Sequence, residues 1–198
     1  MNQILDDIID DICLTEDDFK LKQETIRGVN YKCFDSKISN LNDYFKLSLK
    51  YPDNDMLVFD NERYTFQSCY DLSSAFANAL IERFKIKKGD RIAIASRNYP
   101  EWINSFIAIT SIGAIAVPLN SWWTKDELKY GIENCGAKII IVDDKRYDLI
   151  ETFADTDNLS LISIRCNTSD DLNWDNLIKP FSKLKMPNIE INPDDDAT

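Results

Sequence analysis

Three short apolar runs, Ile92–Ala95, Ile115–Val117 and Ile139–Val142, punctuate the middle of the chain. The segments between them repeat apolar residues at helical spacing. Runs this short, rich in Ile, Val and Ala and bounded by Gly or Pro, read as strands buried on both faces. Strands alternating with helices imply right-handed βαβ crossovers and a parallel sheet. The fold class expected is therefore α/β, with a mostly parallel sheet and helices on both faces.

The helix ends between these runs are marked by their own residues. Asn98 is expected to N-cap the first helix, with Pro100 in its first turn and Glu101 at N3 closing a capping box. Its buried stripe reads Trp102, Ile103, Phe106, Ile109 or Thr110, and Ile112, and Gly113 supplies a left-handed stop. Thr124 is expected to cap the second helix with Glu127 at N3, and Trp123 to meet Leu128 as a hydrophobic staple. Leu128, Ile132 and Cys135 share one face of that helix, which ends at Gly136.

Upstream, Leu57–Phe59 and Arg63–Phe66 read as a hairpin around Asp60-Asn61. Thr65 then caps a long helix whose apolar face runs from Phe66 and Tyr70 to Phe84. Leu41–Leu49 is a short helix ended before Pro52. Met1–Lys22 sets Ile4, Leu5, Ile8, Ile9 and Ile12 against Asp6, Asp7, Asp10 and Asp11, an acidic amphipathic helix. It is expected either to pack on the domain surface or to serve as a homodimer contact. Thr25–Asn40 has no strong period and reads as an extended run. Downstream, Asp143-Asp144 reads as a turn, Tyr147–Phe153 as a helix and Leu159–Ile164 as a strand. A short helix Asp171–Ile178 is expected to start near Asp170. Three regions follow: an arm and extended segment over 1–40, an α/β subdomain over 41–184, and a linker over 185–198.

Charge and chemistry narrow the function by exclusion. The net charge of −11 over 198 residues leaves no basic stripe for nucleic acid and no attraction to anionic lipid. Five cysteines without a CxxC pair and no histidine remove the usual zinc sets and His-based triads, and fit a reduced cytoplasmic compartment. Trp102–Thr124 is uncharged, but Asn104, Ser105, Thr110, Ser111, Asn120 and Ser121, with the break at Gly113, argue against a membrane span. Neither a GxxxxGK[ST] nor a GxGxxG phosphate loop occurs. The acidic clusters lack calcium-loop spacing and read as solvated faces, so no metal ligand is assigned.

The string from Arg63 to Asp144 resembles the N-terminal part of the AMP-forming acyl-CoA synthetases. The matching pieces are Tyr64-Thr65-Phe66 with Asp71-Leu72, Lys88-Gly89-Asp90-Arg91, Asn98-Tyr99-Pro100-Glu101-Trp102, and Gly113-Ala114 through Pro118-Leu119-Asn120. Ser121-Trp122-Trp123-Thr124, Glu127-Leu128 and Gly136-Ala137-Lys138 complete the set. It looks most like the medium- and long-chain fatty acid–CoA ligases. Ser68 departs from the family, which usually has an acidic residue there.

The resemblance implies the N-terminal subdomain of the adenylate-forming ligase fold, truncated. Pro193-Asp194-Asp195-Asp196-Ala197-Thr198 would stand just before the family's Ser/Thr/Gly-rich phosphate loop. The parent would use ATP, Mg2+ and CoA on a fatty or other carboxylic acid, and its partner here would be the remainder of the ligase chain. No catalytic or cofactor-binding residue of the family maps onto these positions. Asn98, Trp122 and Trp123, at carboxyl ends of strands, are expected at a substrate rim. Their alternative roles are capping and stapling. A stand-alone interaction module derived from such a ligase is the rival reading.

Overall fold

The computed structural model describes residues 3–36, 38–154, 159–166 and 172–198, in two compact units divided between Ser39 and Asn40. In the first unit, α1 (Gln3–Thr15) buries none of its residues. The expected Met1–Lys22 helix stops short at Thr15, and a 3₁₀ turn at Asp17–Phe19 follows. β1 (Leu21–Ile26) and β2 (Val29–Phe34) then pair antiparallel with Ile26 opposite Val29. Arg27 and Gly28 both take positive φ, 50° and 82°. That is the two-residue turn whose twist matches a hairpin. The extended reading of Thr25–Asn40 is corrected accordingly: its first ten residues complete a ladder.

In the second unit, Asn40 accepts the Asp43 amide and starts α2 (Leu41–Leu47). β3 (Asp55–Phe59) and β4 (Glu62–Thr65) form the expected hairpin. Thr65 accepts the Ser68 amide at 3.1 Å and opens α3 (Phe66–Phe84). Ser68 turns its hydroxyl to the Thr65 carbonyl, in place of an acidic partner. The main sheet follows: β5 (Arg91–Ala95), α4 (Pro100–Ser111), β6 (Ile115–Pro118), α5 (Lys125–Cys135), β7 (Ile139–Asp143), α6 (Asp144–Ala154), β8 (Ser160–Ile164) and α7 (Trp174–Ile178). The strands are parallel in the order β6-β5-β7-β8.

Strand residues alternate between two cores, as a period of two requires. Ile92, Ile94, Ile139, Ile141, Ile162 and Ile164 meet residues of α3, α4 and α7 on one face. Ala93, Ala95, Ile140 and Val142 meet Leu128, Ile132, Ile150 and Phe153 of α5 and α6 on the other. Helices thus cover both faces. Gly113 turns the chain from α4 into β6 at φ +70°, and a Cβ there would stand 3.1 Å from Lys88 Cγ.

Three local expectations change. α4 begins one residue later than read: Tyr99 is its N-cap, no side chain caps it, and Asn98 lies outside. The residue before a proline is forced extended, so Tyr99 (φ −97°, ψ 157°) cannot be a helical residue and Pro100 must be N1. The Asn98/Glu101 box is therefore absent. Asp143-Asp144 is not a turn either, because β7 runs straight into α6. α7 begins at Trp174, while the start expected near Asp170 and Asp171 lies outside the described residues. By contrast, Thr124 and Glu127 make both halves of their capping box at α5.

The 185–198 segment has no helix or strand but lies along the second unit. Asn78 donates to the Lys185 carbonyl, Lys88 pairs with Asp195 at 2.6 Å, and the Ala116 amide of β6 donates to the Ala197 carbonyl at 2.9 Å.

Released from capping, Glu101 joins a clamp. Arg165, just past β8, places Nε 3.0 Å from both Glu101 carboxylate oxygens and both terminal nitrogens 2.8 Å from Glu62 of β4. Its guanidinium also lies over the Phe59 and Tyr99 rings, 4.9 and 5.1 Å from their centroids. The clamp fastens the hairpin and the start of α4 to the end of the sheet. Arg165's hydrogen bonds, then that of the Tyr64 hydroxyl, hold the Glu62 carboxyl down at about 2 from its ordinary 4.5. A depressed carboxylate stabilises the fold fully above its unfolded value, and that contribution is lost as pH falls through the folded one. The stability difference between wild type and Glu62→Gln should therefore be constant above about pH 4.5 and shrink from there toward pH 2. Urea titrations across that range test this; a difference unchanged down to pH 2 would contradict it.

Candidate functional site

In an open α/β sheet, ligands are approached at the carboxyl ends of the strands, where adjacent crossovers leave to opposite faces. Here that point lies between β5 and β7: β5 leads to α4 on one face, and β7 leads to α6 on the other.

A buried ion pair organises this edge. Asp143, the last residue of β7, is fully buried, and Arg146 in the first turn of α6 is nearly so. Arg146 Nη1 reaches both Asp143 oxygens at 3.1 Å, and the Arg146 amide donates to Oδ1 at 3.2 Å. Asp143 Oδ2 accepts the Arg97 amide from the loop after β5 at 2.9 Å. The Arg146 guanidinium donates through Nε (2.7 Å) and Nη2 to the Ser121 carbonyl in the loop after β6. Two crossover loops are thus tied to one carboxylate–guanidinium pair at the junction of β7 and α6. Buried charges demand such saturation, because an unpaired one carries the full desolvation cost.

Above this tie, the Arg97 side chain lies over the Trp122 ring, with Cζ 4.1 Å from its centroid. Arg97 Nε is buried without a hydrogen-bond partner among the described residues, and the ring face is a favourable neighbour for the cation. Trp122 is 74% exposed, and Asn98 is exposed in the same loop as Arg97. Trp123 turns the other way. It is half-buried beside Leu119 against the core that contains Leu128, and its ring closes over Gly131, where a Cβ would fall 2.7 Å from Cζ3. The structure therefore gathers Asn98, Arg97 and Trp122 at one edge and places Trp123 in the packing below.

Sequence reasoning missed Arg97, Asp143 and Arg146. A visible signal was Asp143 itself, a charged residue closing the wholly apolar run Ile139–Val142, with an arginine three positions on. Among the described residues, no three Cys, Asp or Glu gather into a metal-holding group, and no helix is long and apolar enough to cross a membrane.

Residues 46–197 match the family described as AMP-binding enzyme. The chain belongs to this family. It is 34% identical to 2-succinylbenzoate–CoA ligase of Bacillus velezensis over 112 residues, 54% of this chain and 23% of the relative. It is 32% identical to 4-coumarate–CoA ligase 3 of Arabidopsis thaliana over 130 residues, 66% of this chain and 21% of the relative. The chain thus spans about a fifth of the length of these curated relatives. Among solved structures it resembles anthranilate CoA ligase AuaEII in complex with anthranoyl-AMP, with a TM-score of 0.69 at 22% identity. That likeness covers 78% of this chain and 30% of that one. The N-terminal subdomain of Klebsiella oxytoca NpsA gives a TM-score of 0.64 at 24% identity, over 81% of this chain and 36% of that one. The fold is that of the N-terminal region of AMP-forming acyl-CoA synthetases.

Removing Arg146 leaves Asp143 buried and unpaired. Arg146→Met should cost about 3–5 kcal/mol in urea unfolding; a loss below about 1 kcal/mol would show that the tie does not hold the edge. Gly131→Ala tests how Trp123 is seated. A glycine-to-alanine change inside a helix normally stabilises by about 1 kcal/mol. Here the ring must move, so that gain should be absent and the near-ultraviolet dichroism altered; a more stable variant with an unchanged spectrum would contradict the packing.

Proposed function

We propose that this chain is the N-terminal scaffold of an acyl-CoA ligase. The whole enzyme would join a fatty or other carboxylic acid to ATP, giving an acyl-adenylate and pyrophosphate, and then pass the acyl group to CoA. The family match over residues 46–197 carries this reading. Names of relatives, among them 2-succinylbenzoate, 4-hydroxybutyrate and 4-coumarate ligases, support acid–CoA ligation as the shared chemistry while differing in the acid. Five cysteines, none in a disulfide among the described residues, suit a reducing cytoplasm.

The residues at the crevice do not by themselves fit a nucleotide or its metal. Asp143 already accepts four hydrogen bonds, from the Arg97 amide and from Arg146. No glycine stands in the loops after β5 and β6 to bring backbone amides around a phosphate. We therefore assign this chain no chemical step. Its part is to hold the rim of Asn98, Arg97 and Trp122 in register, with Trp123 as the packing beneath it.

ATP–pyrophosphate exchange by this chain alone should be silent with both fatty and aromatic acids; measurable exchange would overturn the scaffold assignment. The coding sequence after Thr198 should continue in frame into a Ser/Thr/Gly-rich loop. A stop codon there would favour a stand-alone interaction module instead.

A further inference from the structure

Away from the crevice, and sharing none of its residues, the second unit contains a half-open cavity of about 460 Å³. It lies among α2, β3, α3 and α4. Its walls are mainly Phe45, Tyr51, Met56, Phe66, Tyr70 and Ile107, and none of its lining residues is charged. Its size is that of a small-molecule site. Most of the surface it exposes is apolar, so a ligand that covers it gains by removing that surface from water.

We propose that this cavity binds a neutral, mainly apolar small molecule with an aromatic or compact aliphatic body. The lining supplies flat ring faces and a flexible thioether, which suit such a body. Its polarity excludes the anionic reactants of the proposed ligase. With no Lys, Arg or His in the lining, a carboxylate or phosphate would be desolvated without a counter-charge. Tyr70 donates to Asn42 Oδ1 at 3.4 Å and stays a neutral phenol, its pKa raised by burial and by the negative charge of Asp43. Phe45 also meets Phe106 edge-to-face at 6.5 Å, and Phe106 stacks on Trp102 at 5.8 Å. The wall is thus braced by aromatic packing, which works against closure of the space. This inference does not depend on the ligase reading.

The test is calorimetric or ligand-observed NMR titration of the full chain with 2-naphthol and with 2-naphthoate. Naphthol should bind saturably at one site, and naphthoate more weakly by about tenfold or more. Met56→Trp, on a strand residue that is only half-buried, should fill the space and weaken naphthol by about tenfold or more, with the melting curve of the wild type retained. Ile107→Trp fills the floor and should act alike if it folds. Equal affinity for the two probes, absence of saturable binding, or naphthol binding unchanged in a folded Met56→Trp variant would each overturn the proposal. So would loss of binding in Trp122→Ala, since that would put the probe at the sheet edge.

Discussion

A single buried carboxylate constrains this fold more than any other group. Asp143 stands where β7 ends and three crossovers converge, in a place without water to solvate it. It must therefore collect donors: the Arg97 amide from a loop distant in sequence and the Arg146 guanidinium, which in turn donates to the Ser121 carbonyl of a second loop. Satisfying the charge and fixing the edge of the sheet are the same event. At the far strand, Arg165 works in the opposite sense, one cation collecting two carboxylates from β4 and α4. Between them these two centres set the ends of all four strands of the main sheet against the helices.

How legible this was depended on whether the partners lay within a few residues of each other. Thr124 and Glu127 are three apart, and their capping box was readable because both halves are local. The alternating cores were readable too, since unbroken Ile and Val runs admit little but a strand covered on both faces. The start of α4 was misplaced although the determinant was adjacent. Pro100 dictates the conformation of Tyr99 more strongly than Asn98 can compete as a cap. The first hairpin was overlooked because most of its residues are exposed and give no inside–outside alternation, and Arg27-Gly28 is a weaker turn signal than Asn-Gly.

Helix α4 misled for another reason. Asn104, Ser105, Thr110 and Ser111 are buried, while Trp102, Ile103 and Phe106 are only half-buried. Small hydroxyl residues can be buried where they bond to carbonyls of their own helix, as Ser105 does to Glu101 and Thr110 to Phe106. On the facing α3, Ser73 and Ser74 do the same to Cys69 and Tyr70. Such residues let the two helices approach closely, and hydropathy alone reads them as a surface. The tie at Asp143 was still less legible, since its bonds to the loops span 46 positions to Arg97 and, through Arg146, 25 to Ser121.

The way those loops are held has a further consequence. Arg97 is gripped by its main-chain amide and Ser121 by its main-chain carbonyl, so neither grip depends on which side chain stands there. Only Asp143 and Arg146 contribute through their own chemistry. The side chains at positions 97 and 121 can therefore change without breaking either bond, and the frame beneath stays put. Variability of the loop surface and constancy of the frame are in this way separated at the level of single bonds.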